Sequence, residues 1–192
     1  IMEWRDQFEN TEKALQGFAD LVIEQARKNL ETKRKRGRSR KGNVLKPSKI
    51  NSSGRLSRSL FWGWNTQGMN NSLGFGASGK AGKYAYYVEH GRKPGKQPPP
   101  RAILQWIKTK PIRPRDLSSG RFISKTPEVL ERMAYLIGRK IGRYGTEATH
   151  FYADAFDKEF KKLDKDLQLK FADDIEEQMD YALEKLKIIK LF

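Results

Sequence analysis

Three consecutive prolines, Pro98 to Pro100, constrain this chain more than any other feature. They remove three backbone donors and hold φ fixed, so no strand ladder can run through them, yet their geometry suits a helix's first turn. Ile103, Leu104 and Ile107 then space an apolar stripe for a short helix, which Pro111 stops. Upstream, Tyr84 to Glu89 alternates as a half-buried strand does, with Tyr84, Tyr86 and Val88 on one face and Ala85, Tyr87 and Glu89 on the other. Gly91 ends that strand, and a basic loop containing Arg92, Lys93 and Lys96 leads to the prolines.

Taken in order, residues 2 to 31 place Trp4, Phe8, Leu15, Phe18, Val22 and Ala26 on one face and predict a long amphipathic helix. Arg55 to Trp64 predicts a first strand, with Leu56, Leu60, Trp62 and Trp64 on one face. The tryptophans read as core in preference to a base-stacking platform. Asn65 to Asn71 is a hairpin connection, and Leu73, Phe75 and Ala77 mark the returning strand. Gly79 to Lys83 is a turn into the Tyr84 strand, which completes a three-stranded meander needing a helix on one face.

Thr126, Pro127 and Glu128 signal a helix start, and Gly145 its C-cap. Gly138 and Gly142, one turn apart in this helix, predict close approach of another segment, most simply a strand. From Phe151 the apolar positions are helical, but Leu167, Leu169 and Phe171 alternate and predict a break or short strand. Residues 173 to 187 resume helically, and the apolar end, Lys187 to Phe192, is expected to be buried. The expected fold class is α+β: a small antiparallel sheet packed on a long N-terminal helix, with a second helix and a helical C-terminal extension. Residues 1–156 form the α+β domain, with a basic loop at 32–53, and 157–192 the extension.

The net charge of +16 is unevenly placed: residues 33–125 carry 23 basic and 2 acidic side chains, against 4 and 7 in 1–32 and 12 and 14 in 126–192. Such a block repels itself unless it meets a polyanion. Its densest run holds Lys33, Arg34, Lys35, Arg36, Arg38, Arg40 and Lys41 with no apolar residue. Three readings stand for it: a solvated loop, a phosphate-contacting arm, or a nuclear-localisation address. Cations on such a loop read phosphates without base discrimination.

Chemistry is sparse. There is no cysteine, which excludes disulfides, thiolate catalysis and sulfur-ligated zinc and fits a reducing cytoplasm. Between residues 33 and 125 the only carboxylates are Glu89 and Asp116 and the only histidine is His90, so no catalytic, cofactor or metal site is expected. No run approaches the roughly 20 apolar residues of a membrane span, and no basic-then-apolar leader opens the chain, so a soluble protein without a membrane partner is expected.

The order Tyr84-Ala85-x-Tyr87-Val88-Glu89-x-Gly91, basic loop, prolines, then Ile103-x-x-Trp106-Ile107-x-x-Lys110 resembles the tail-completion or neck proteins, the head-tail connectors, of tailed bacteriophages. Gly54-Arg55-Leu56-x-x-Ser59-Leu60 resembles that family's first strand. Ala134 to Ile141, followed by Gly145, Thr146 and Phe151, resembles its second helix and closing segment, except that His150 stands where the family carries proline. The resemblance spans residues 54–156 and implies a non-enzymatic virion protein, assembled in the host cytoplasm as a homo-oligomeric ring of twelve-fold or six-fold symmetry. Its implied partners are a portal or adaptor ring, a tail protein and the DNA in the channel. Lys33, Arg34, Lys35, Arg36, Arg38, Arg40, Lys41, Arg92, Lys93 and Lys96 are the expected polyanion or interface contacts. The alternative is a sequence-nonspecific nucleic-acid-binding protein on the same plan.

Overall fold

The computed structural model describes residues 8–34, 48–50, 53–67, 70–110, 112–116 and 118–189. The elements are α1 (Glu9–Glu31), β1 (Lys33–Arg34), β2 (Ser48–Lys49), α2 (Arg55–Ser59), β3 (Leu60–Gln67), β4 (Asn70–Ala77), α3 (Gly79–His90), α4 (Pro100–Thr109), α5 (Pro127–Tyr144) and α6 (Ala153–Ile189). The class is α+β: an antiparallel pair of strands, a long N-terminal helix and a helical C-terminal extension. The chain divides into two compact units, one of residues 1–29, 61–75 and 151–192, the other of residues 30–60 and 76–150. The division sorts charge. The first unit has 12 basic and 17 acidic residues, the second 27 basic and 6 acidic, net −5 and +21.

In the acidic unit α1 and α6 run antiparallel. Phe8 stacks on Phe171 with centroids 5.7 Å apart, Phe18 meets Phe156 edge-on at 5.3 Å, and Asn29 Nδ2 donates to the Phe151 carbonyl at 3.0 Å, so one number rises as the other falls. The register is pinned at one end by Asp174, which is 1% exposed and accepts from the backbone N–H groups of Asn10 (2.9 Å) and Thr11 (2.8 Å). These are donors that a helix's first turn leaves without intrahelical partners. Burial pushes the Asp174 carboxyl up, but the hydrogen bonds from Thr11 and Asn10 outweigh it and hold it below the usual carboxylate range. The β3–β4 hairpin joins this unit through Trp62 Nε1, which donates to Asp20 Oδ1 at 2.7 Å, and through Phe75, edge-on to Phe156 at 6.2 Å.

The basic unit has its own small core, with Ile103 and Ile107 of α4 and Ala134 of α5 buried and Leu130, Met133, Ile137 and Ile141 packed around them. The start and stop signals hold here: Thr126 Oγ1 accepts from the Val129 N–H at 3.4 Å, and Gly145 closes α5 with its N–H on the Ile141 carbonyl at 2.8 Å.

Four expectations are corrected. Tyr84–Glu89 is not a strand but the second half of α3, which also absorbs the expected turn at Gly79–Lys83, so the meander reduces to a hairpin. Ala81, Ala85, Val88 and Glu89 turn inward at helical spacing, and Tyr84, Tyr86 and Tyr87 are exposed. Arg55–Ser59 is likewise helical, with Leu56 and Ser57 buried, and strand β3 starts only at Leu60. Leu56 and Leu60 are four apart, a spacing that a helical turn and a strand share. No break interrupts α6 at 167–171, because Leu163, Leu167, Phe171 and Asp174 keep the face toward α1 while Leu169 is 65% exposed. The segment that crowds Gly138 and Gly142 is the loop at Gly95–Gln97, not a strand. The boundary expected between 156 and 157 falls inside α6, and the expected burial of the last six residues concerns side chains outside the described set.

Replacing Asp174 with alanine should lower stability by about 2 kcal/mol, the value of a lost charged cap. With the folded value depressed, this contribution is complete above the ordinary carboxyl value near pH 4 and fades as pH falls through the folded one. Urea titrations from pH 7 to pH 2 should therefore show wild type losing its advantage over Asp174→Asn in acid. A gap that stays constant with pH would refute the cap.

Candidate polyanion interface

The loop between α3 and α4 carries Arg92, Lys93 and Lys96, and backbone contacts with the end of α5 fix its path. Arg92 and Thr146 exchange hydrogen bonds in both directions (3.0 and 2.9 Å), and the Gly95 N–H donates to the Gly142 carbonyl at 2.8 Å. The Arg92 guanidinium donates back to the Lys96 carbonyl, bracing the loop from within. Lys93 and Lys96 are exposed and Arg92 half-buried. Glycine is needed at the seam. A Cβ on Gly145, whose φ is +68°, would lie 1.9 Å from the Arg92 carbonyl oxygen, and one on Gly142 would lie 3.1 Å from that of Gly95. The seam brings the last turns of α5, with exposed Arg139, Lys140 and Arg143, beside the loop.

The segment after Gly145 folds back on the end of α3. Thr149 N–H and Oγ1 donate to the Val88 carbonyl (3.1 and 2.6 Å), and the His150 N–H donates to that of Glu89 at 3.1 Å. His150 adopts φ +48°, which a proline ring, holding φ near −65°, cannot reach.

A second basic element is the loop from Ile112 to Lys125. Arg115 and Phe122 form an antiparallel bridge, and the guanidinium carbons of Arg115 and Arg113 lie 4.1 and 5.9 Å from the Phe122 ring centroid. Phe122 remains 57% exposed. Asp116 builds the turn: Oδ1 accepts from the N–H groups of Ser118 (3.0 Å) and Ser119 (2.7 Å) and from both hydroxyls. The Ser118 hydroxyl first, then the Ser119 N–H and hydroxyl, hold that carboxyl well below the usual range. Of the two carboxylates of the 33–125 block, Asp116 is hydrogen-bonded to its serines and Glu89 is buried, and both are outnumbered by the exposed arginines and lysines, which dominate the potential of the surface.

Of the other expected contacts, Lys33 and Arg34 pair as β1 with Lys49 and Ser48 of β2, while Lys35, Arg36, Arg38, Arg40 and Lys41 lie outside the described residues. Arg113, Arg115, Arg121 and Phe122, and the α5 cations, were not singled out by sequence. The sequence already marks residues 111–125 as a basic loop with a Ser-Ser-Gly turn, so the first group was missed only in the choice of contacts, and the paired glycines of α5 could have marked the second. Among the described residues no group of three His, Cys, Asp or Glu side chains is arranged to hold a metal ion, and no helix is long and apolar enough to cross a membrane. A scan against protein-family models, a search of curated proteins and a search of solved structures each found no match.

Gly145→Ala should release the loop and destabilise the chain by about 2 kcal/mol or more, through strain at positive φ and the clash with Arg92. Lys93→Ala should leave stability within about 0.5 kcal/mol of wild type. Equal stability of wild type and Gly145→Ala in urea would contradict the seam.

Proposed function

We propose that the chain is a structural subunit of a phage virion, assembling as a ring at the head-tail junction that links portal to tail around the DNA channel. What carries this reading is the sorting of charge onto two compact units, net +21 and net −5, within one chain. A subunit with two surfaces of opposite sign favours heterologous contacts between copies, and such contacts close into a ring when the rotation divides a full turn. The cationic loops suit a lumen that passes DNA of any sequence, since attraction to phosphate is indifferent to bases. The resemblance over residues 54–156 supplies the neck assignment, and the portal or adaptor ring and the tail protein are its axial partners. The reading assigns no catalytic role to any residue.

A second reading is favoured by the Arg113–Arg115–Phe122 cluster, whose exposed ring and flanking guanidinium groups suit single-strand or backbone contacts. On that reading the chain binds nucleic acid without sequence preference and acts free of any ring.

Native mass spectrometry across a salt series, with and without duplex DNA, separates the two. The ring reading expects one large species with a copy number of six or twelve, forming without DNA, or a monomer that converts to one when portal protein is added. A persistent monomer that ignores portal but binds DNA, with an affinity that falls by about 0.9 log units per phosphate contact for each decade of salt, would overturn it.

A further inference from the structure

Beyond Asp174, α6 continues for fifteen residues, about 22 Å of helix. Its last described hydrogen bond to α1 is from Asn10 Nδ2 to Glu177, at 3.4 Å. Past that point Met179, Leu183 and Leu186 are 60, 53 and 56% exposed, and with Ile175 at 38% they form one stripe at three- and four-residue spacing. The charge pattern changes at the same place. Residues 157–170 of the helix mix 4 acidic with 5 basic side chains, whereas 173–184 hold 6 carboxylates and no base. Glu176, Asp180 and Glu184 follow one another at four-residue spacing and repel along the helix, a pattern that weakens an isolated helix. An apolar stripe with carboxylates along its flank is a surface made for a cationic partner with exposed apolar area.

The same chain carries such a surface. The outer side of α3 exposes Lys80 and Lys83 with Tyr84, Tyr86 and Tyr87, the tyrosines 37, 65 and 53% exposed, while Ala81 and Glu89 are buried on its inner side. Exposed tyrosines beside cations are typical of binding surfaces, because the ring supplies apolar area at low entropic cost and the hydroxyl can donate to a carboxylate. This helix belongs to the unit of net charge +21.

We infer that the stripe Ile175–Leu186 of one copy docks on the lysine and tyrosine face of α3 in a second copy, and that this is the contact joining neighbours in the ring. The inference rests on the ring reading and names its partner surfaces. Two other occupants are disfavoured by charge. Pairing of two α6 ends would set six carboxylates against six, and an anionic lipid or nucleic-acid surface would repel the same residues. Because donor and acceptor are different surfaces, each copy engages two neighbours, and the contact propagates from copy to copy.

The chain has no cysteine, so a cross-link between chosen positions can be read without background. Full-length Met179→Cys and full-length Tyr87→Cys, distinguished by a mass tag, are mixed and treated with a short bis-maleimide. The 179–87 adduct should exceed both same-site adducts and a Ser124→Cys control by about tenfold. It should vanish in 1 M salt and on adding Asp180→Lys with Glu184→Lys, and return when the Tyr87→Cys copy carries Lys80→Glu and Lys83→Glu. A dominant 179–179 adduct, no adduct above the control, or charge reversal without effect would each overturn the contact. Rings that form without a 179–87 adduct would sink the contact and leave the ring reading standing. A 179–87 adduct in open chains that never close would do the opposite.

Discussion

Twenty-one net positive charges confined to one compact unit form the constraint that the rest of the molecule answers to. At physiological salt the screening length is about 8 Å, so neighbouring cations on one loop still repel, and the loop needs something other than charge to hold its shape. Backbone supplies it. The Arg92–Thr146 exchange and the Gly95–Gly142 bond fasten one loop to α5, and Asp116 with its two serines shapes the other. The Arg92 and Arg115 guanidinium groups also brace their loops from within, on the carbonyls of Lys96 and Gly120. Lys93, Lys96, Arg113 and Arg121 remain exposed.

The acidic unit solves a different problem. A pair of long helices has few residues with which to define its register, and ring contacts such as Phe18 with Phe156 tolerate sliding. The Asp174 cap does not, because its two hydrogen bonds reach specific N–H groups at the first turn of α1. Beyond the hydrogen bond from Asn10 to Glu177, α6 carries the exposed apolar stripe and the concentrated carboxylates.

Much of this was legible in the sequence where single residues dictate geometry. The prolines placed α4 and aimed Ile103 and Ile107 inward, Thr126 and Gly145 bounded α5, and the stripe through Phe18, Val22 and Ala26 gave the buried face of α1. Periodicity failed where the window was short. Six residues from Tyr84 to Glu89 fit a period of two, and only Ala81, outside that window, together with an inward-facing Glu89 separates a helix from a strand. Leu169 misled in the same way, as an exposed leucine between Leu167 and Phe171 in a 37-residue helix. The candidate surface was half visible. Composition found the cations of the loops, but Arg139 and Arg143 join them only because two glycines let the loop lie against their helix, which is a tertiary fact.

The most direct measurement is an electron-microscopy map of the assembled particle at side-chain resolution. The account predicts a closed ring with Lys93, Lys96 and the Arg113–Arg121 loop lining the axial channel and the α6 ends engaged between neighbours. A closed ring whose lumen is lined by the acidic helices, with the cationic loops on its outer wall, would contradict it.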